Sequence, residues 1–213
     1  MSEELGKIEK PSVEEYKKGR RLYFVPLVYC GVDAPPEYLE GFRRYWEQAE
    51  DQVGSLELKL GMTNRIYHEF ISVEGEEGVK IIEGLNEKSH QIARDRLEKG
   101  AQLEAAEKDE VLTEFMDWSR CLALGLQNQQ VFTRVYEAYL EASKKRNEYI
   151  AKQIDETLKA DETGIMFMRE GHQVQFPADI QVFYVAPPAL DEIKRWLREH
   201  ESAREEKKEA DSQ

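Results

Sequence analysis

"TGIMFMREGHQVQFP" occupies Thr163 to Pro177. Ile165 to Met168 form a short apolar run closed by charge and glycine, the pattern of a strand covered on both faces. A long helical stripe precedes it. A second apolar run, ADIQVFYV (178–185), follows it. Strands set among helices in this way predict an α/β fold. The charged turn Arg169–Glu170–Gly171–His172 then falls just past a core strand, where open α/β sheets carry their sites.

Upstream, RRLYFVPLVY (20–29) is nearly continuous in apolar residues and reads as a doubly covered strand. Pro26 inside it cannot donate to a ladder, which predicts a bulge or an edge position. Pro35–Pro36 open an amphipathic helix over 37–52. NRIYHEFISVEG (64–75) is β-branched and aromatic, and reads as the next strand. A helical stretch from Val79 to Leu97 breaks at Gly100, and 109–126 forms another helix. The stripe from Val131 through Tyr139 and Ile150 to Leu158 predicts the longest helix, 127–159, with Asn147 on its apolar face. Pro187–Pro188 start the last helix, through Leu190, Ile193, Trp196 and Leu197. The expected order is β-α-β-ααα-β-β-α: a small, mostly parallel sheet flanked by long helices, with helix content well above one third. Residues 1–20 read as a polar lead-in with a short helix near Val13–Lys18. Residues 21–199 read as one domain, and 200–213 as a charged tail that frays.

The formal net charge is −13, which disfavours binding to nucleic-acid backbones. No apolar run approaches the ~20 residues of a membrane span, and the N-terminal stretch is not a signal peptide. The two cysteines, Cys30 and Cys121, lie in no CxxC pair and read as free thiols of a reducing cytoplasm. Walker, GxGxxG, GxSxG and HExxH patterns are absent. GLQNQQ (125–130) shares only a superficial likeness with the glycine-rich loop of translation release factors, and the acidic balance opposes that reading.

Four histidines are present. His200 lies in the tail, and His90 in a charged helix reads as a solvated surface residue. His68 shares a strand face with Phe70, which leaves Glu69 on the face of Tyr67 and Ile71. A carboxylate on an apolar face needs a partner or a proton. Glu69 is then either a general base or metal ligand at the sheet end, or an exposed residue one register away. His172, after Gly171, is a candidate acid, base or ligand, or a plain loop residue. Buried Asn147, beside Arg146, needs hydrogen-bond partners and is placed to orient His172 or to satisfy a neighbouring backbone.

The stretch KKRNEYIAKQIDETLKADETGIMFMREGH resembles the TraB/Tiki and ChaN-like superfamily, which includes erythromycin esterase-like proteins. There a helix bearing Arg-Asn or Arg-Asp leads to a strand ending in a glycine–histidine turn. Arg146, Asn147, Ile150, Ile154, Gly171 and His172 carry the likeness, and Glu69 matches an acidic strand end. The family's first strand delivers a histidine, whereas Cys30 stands near that place here. Its glycine–histidine turn is also longer than REGH.

The resemblance implies a sheet-end hydrolase-like site. Glu69 would activate water and His172 would ligate metal or polarise substrate. Arg146 would bind an anionic group with Asn147 beside it. A divalent metal would draw on His172, Glu69, His68 and, as a thiolate, Cys30. The alternative is a non-catalytic member that binds a small molecule or a protein partner, a homodimer included.

Overall fold

The structure, a computed structural model, describes residues 18–211. The expected helix at Val13–Lys18 falls largely outside them. The chain is helix-rich and α/β, with six helices and a five-stranded parallel sheet among the described residues. The strands are β1 (Arg20–Pro26), β2 (Arg65–His68), β3 (Gln102–Leu103), β4 (Thr163–Met168) and β5 (Ile180–Tyr184). Their order across the sheet is β3-β2-β4-β1-β5. The helices are α1 (Pro36–Leu60), α2 (Gly75–Leu85), α3 (Glu87–Glu98), α4 (Asp109–Ala123), α5 (Gln129–Thr157) and α6 (Pro188–Asp211).

Alternation along the strands divides the core into two layers. Tyr23, Val25, Ile66, Ile165 and Phe167 meet Tyr45, Trp46, Ala49 and Val53 of α1, Ile82 of α2, Ile92 of α3 and Ile193 of α6. Leu22, Phe24, Tyr67, Met166 and Met168 meet Ile150 and Ile154 of α5. Val174 and Phe176, in the β4–β5 connection, join this second layer. Gly164 is required between strands: a Cβ there would stand 2.9 Å from Leu22 and 3.0 Å from Tyr67.

Several expectations change. Pro26 is neither at an edge nor in a bulge, since β1 lies between β4 and β5. Odd-numbered residues of β1 turn their N–H toward β4, as Arg21 and Leu27 do at its two ends. Pro26 would turn its own toward β5, whose pairing has already ended at Phe24–Tyr184. The missing donor therefore ends one ladder and leaves the other intact.

The second strand is only four residues, because Phe70 takes a left-handed backbone, φ 70°. The stretch after it is two helices. Asn86 ends α2 and caps α3, accepting from the N–H of Lys88 and Ser89 while its amide donates to Val28 O. That break turns His90 inward, so it is buried and not a solvated surface residue. The two-residue β3 was not foreseen.

The last helix runs on to Asp211, past the residue-199 boundary at which the charged run had suggested fraying. The apolar stripe of α5 is core only in its second half. Val131, Phe132, Tyr136 and Leu140 are exposed, because the first turns of α5 pair with α4 as a hairpin beside the sheet. Among the described residues no helix is long and apolar enough to cross a membrane.

Candidate functional site

All five strands run parallel, so their carboxyl ends share one edge. Adjacent β2 and β4 bring Glu69 and Arg169 together there, and α5 passes behind them with Arg146. The backbone N–H of Arg169 donates to Glu69 Oε2 at 3.0 Å. Its guanidinium reaches both carboxylate oxygens, Nη2 to Oε1 at 3.0 Å. Arg146 Nη2 donates to Glu69 Oε1 at 3.2 Å. Arg146 also binds Glu107, with Nε on Oε2 at 2.7 Å and a further Nη2–Oε1 bond. The result is a line of four charges, Glu107–Arg146–Glu69–Arg169. Three are buried, and Arg169 is half exposed.

Phe70 supports this line. Its left-handed backbone lets its N–H donate to Glu107 Oε1 at 2.9 Å. Arg146 and Arg169 sit 5.2 and 5.1 Å from its ring centroid, the geometry of cation–π contact. A non-glycine residue held at positive φ costs energy that its surroundings must supply. Here the Glu107 hydrogen bond and two guanidinium groups supply it.

Burial pushes the Glu69 carboxyl up, but the Arg169 and Arg146 contacts outweigh it and hold it below its usual range. Glu69 is thus an ionised, fully engaged carboxylate, and a weak base. Burial works against the charge of Arg146, but Glu107 and Glu69 together outweigh it, so the guanidinium stays charged. Tyr29, after β1, feels the same charges. Burial, with Glu69 adding, pushes its hydroxyl up to about 12, and that buried hydroxyl has no hydrogen-bond partner among the described residues.

His172 sits two residues past Arg169's neighbour Glu170, after Gly171 at φ 79°. Its ring packs on Phe24, centroids 4.7 Å apart, and against Phe176. Nδ1 accepts from Val174 N–H at 3.2 Å, so the hydrogen of the neutral ring lies on Nε2. Burial lowers its pKa against the opposing charge of Glu69, and burial thereby keeps the ring neutral near pH 7. His172 is therefore a hydrogen-bond donor. Asn147, one residue beyond Arg146, is buried, and among the described residues its only side-chain bond is Nδ2 to Ser143 Oγ at 3.5 Å.

A cavity of about 390 Å³ opens over this edge. Glu69, Arg146, Asn147, Arg169 and His172 line one end, and Phe115, Tyr136, Tyr139 and Leu140 of the α4–α5 hairpin line the other. The four residues expected as catalytic or substrate-binding thus meet. Glu107 and Glu69 neutralise Arg146 and take its Nε and Nη2, while Nη1 makes no hydrogen bond among the described residues.

The metal set does not assemble. His68 faces the opposite layer, where its Nδ1–H donates to Glu69 O at 2.7 Å and its Nε2 accepts from Ser89 Oγ at 2.9 Å. Cys30 is a free thiol outside the cavity lining. Among the described residues no group of three or more His, Cys, Asp or Glu stands where it would hold a metal ion. Arginines, not cations in solution, neutralise Glu69.

Arg169, Glu107, Phe70 and the aromatic wall were not assigned roles from sequence. Arg169 was visible at a strand end, but its partner depends on β2 lying beside β4. Glu107 sits in a run of charge after a two-residue strand and carries no local signal. Comparison with protein-family models, with curated proteins and with solved structures returns no match for this chain.

Proposed function

We propose that this protein binds a small ligand at the carboxyl edge of its sheet without chemically transforming it, and that hydrogen-bond donors recognise the ligand's head. One observation carries this reading: the carboxylates of the cavity are already paired, Glu69 with Arg169 and Arg146 and Glu170 with Lys194, whereas donors remain open. Asn147 has a weak 3.5 Å bond alone, and the His172 hydrogen lies on Nε2. A general base needs a free carboxylate with a pKa near the working pH, and Glu69 is neither free nor raised. The test is ligand-observed NMR on the full chain with anionic, neutral and cationic fragments, beside Asn147→Leu. Acceptor-rich fragments should bind wild type and lose binding in the variant. Preferential binding of amines would overturn the reading.

The sharing of one cavity by Glu69, Arg146, Asn147 and His172 supports a second reading, the hydrolase-like site of the TraB/Tiki and ChaN-like resemblance. That reading requires turnover of small esters that is lost in Glu69→Gln. It also requires stoichiometric metal by mass spectrometry that is lost in His172→Ala. The exposed Leu124, Val131 and Phe132 at the hairpin tip support a protein contact, a homodimer included. Sedimentation of wild type beside Phe132→Asp tests it. Free Cys30 and Cys121 suit a cytoplasmic setting.

A further inference from the structure

The far end of the cavity is unlike its polar end. Phe115 and Tyr139 lie 5.5 Å apart between centroids, Tyr136 and Tyr139 6.4 Å, and Phe132 and Tyr136 5.9 Å with planes 7° apart. These rings form a ladder along α5 toward Arg146, which stands 4.5 Å from the Phe115 centroid. Tyr136 and Leu140 remain 44% and 46% exposed in the cavity wall, large apolar groups without full cover. Such a surface takes a flat ring by offset stacking or edge contact at little entropic cost.

Resting on the ligand-binding reading above, we propose that the ligand is a small aromatic oxyanion. Its ring lies on the Tyr136–Tyr139 wall and its oxygens meet Asn147, Ser143 and His172. The distances agree with this division. Asn147 and Ser143 are one helical turn apart, and the amide donates to the Ser143 hydroxyl oxygen at 3.5 Å, which leaves the second amide hydrogen and the hydroxyl hydrogen for a ligand where the aromatic stripe ends. Tyr139 and Tyr136 continue the same face one and two turns earlier. The charges of Glu69 and Glu107 are balanced by Arg169 and Arg146, so the head meets donors and no unpaired carboxylate. Glu170, also at the rim, is bound by Lys194 at 2.6 Å and by the Tyr184 hydroxyl. The cavity volume lies in the range that holds small molecules.

The experiment is calorimetric titration of the full chain with phenylacetate, cyclohexylacetate, acetate, phenyl phosphate and benzylamine. Phenylacetate or phenyl phosphate should bind at least about threefold tighter than cyclohexylacetate, the scale of an aromatic contact beyond area. The tighter of those two aryl probes identifies the head as carboxylate or phosphate. Tyr136→Leu should abolish the preference for aryl over cyclohexyl with the far-UV spectrum unchanged. Equal binding of phenylacetate and cyclohexylacetate overturns the aromatic assignment and leaves the ligand-binding reading standing. Equal binding of acetate and phenylacetate does the same. Tighter binding of benzylamine, or binding of no probe, overturns both.

Discussion

Glu69 and Arg169 stand at the carboxyl ends of adjacent parallel strands and are joined by four hydrogen bonds, one from the Arg169 backbone and three from its guanidinium. Each closes off the other. Arg169 is the exposed end of a charge line whose inner member, Arg146, is buried between two carboxylates.

The two arginines should therefore differ in worth. Arg146→Met strands Glu107 in the core, and breaking a buried pair by removing one partner costs about 3–5 kcal/mol. Arg169→Met leaves Glu69 still paired with Arg146 and removes a half-exposed group, which should cost about 1 kcal/mol. Urea unfolding at pH 7 measures both. Equal costs would mean that Arg146 anchors the line no more than Arg169 does.

Acid stability should move with Arg169. The folded Glu69 pKa is depressed, so its contribution is present above the unfolded carboxyl pKa and is lost as pH falls through the folded value. In Arg169→Met the folded value rises and the loss begins at higher pH. A carboxyl-carbon NMR titration of Glu69 reads the shift directly, and an unmoved midpoint would contradict it.

His68 adds a second, separate acid dependence. Burial lowers its folded pKa to about 4, against the backbone bond and charge of Glu69. The neutral ring is favoured in the fold, so its stabilisation is complete above about pH 6.5 and is lost as pH falls toward the folded value. The shift corresponds to at most about 3 kcal/mol. His68→Gln should flatten the stability profile between about pH 6.5 and pH 4. A profile as steep as wild type would assign that loss to other groups.

Two helical glycines should respond oppositely to alanine. A Cβ at Gly78 would lie 2.4 Å from the Val73 carbonyl oxygen and 2.8 Å from Leu103, so the backbone must shift, at a cost of about 1–3 kcal/mol. Gly54 in α1 faces open space, and Gly54→Ala should stabilise by up to about 1 kcal/mol. Thermal melts of both variants decide this.

The legibility of the sequence followed the range of the interactions involved. Apolar runs such as Leu22–Val25 and Ile165–Met168 carry their burial locally, and both became central strands. Alternation in IYHEFI offered Glu69 either as a buried carboxylate among apolar neighbours or as an exposed residue one register away, and it is buried. Its partners were not, because they come from β4 and α5, far along the chain. His90 looked solvated because its neighbours are charged. The Asn86 cap that turns it inward is a single residue whose effect depends on the Val28 carbonyl. The α5 stripe was continuous in sequence, but only its second half packs on the sheet, and its first turns pair with α4 instead.

The sheet's connectivity sets the order in which this molecule can assemble. Every strand contact is non-local: Arg21 of β1 meets Thr163 of β4, 142 positions later, and Asn64 meets Thr163 across 99. The α4–α5 hairpin needs only neighbouring sequence. Helices should therefore appear early in refolding, with sheet closure as the slow step, because long loops must close before strand contacts reward them. Until then Leu22–Val25 waits as a bare apolar strand, and that interval is when aggregation competes with the fold.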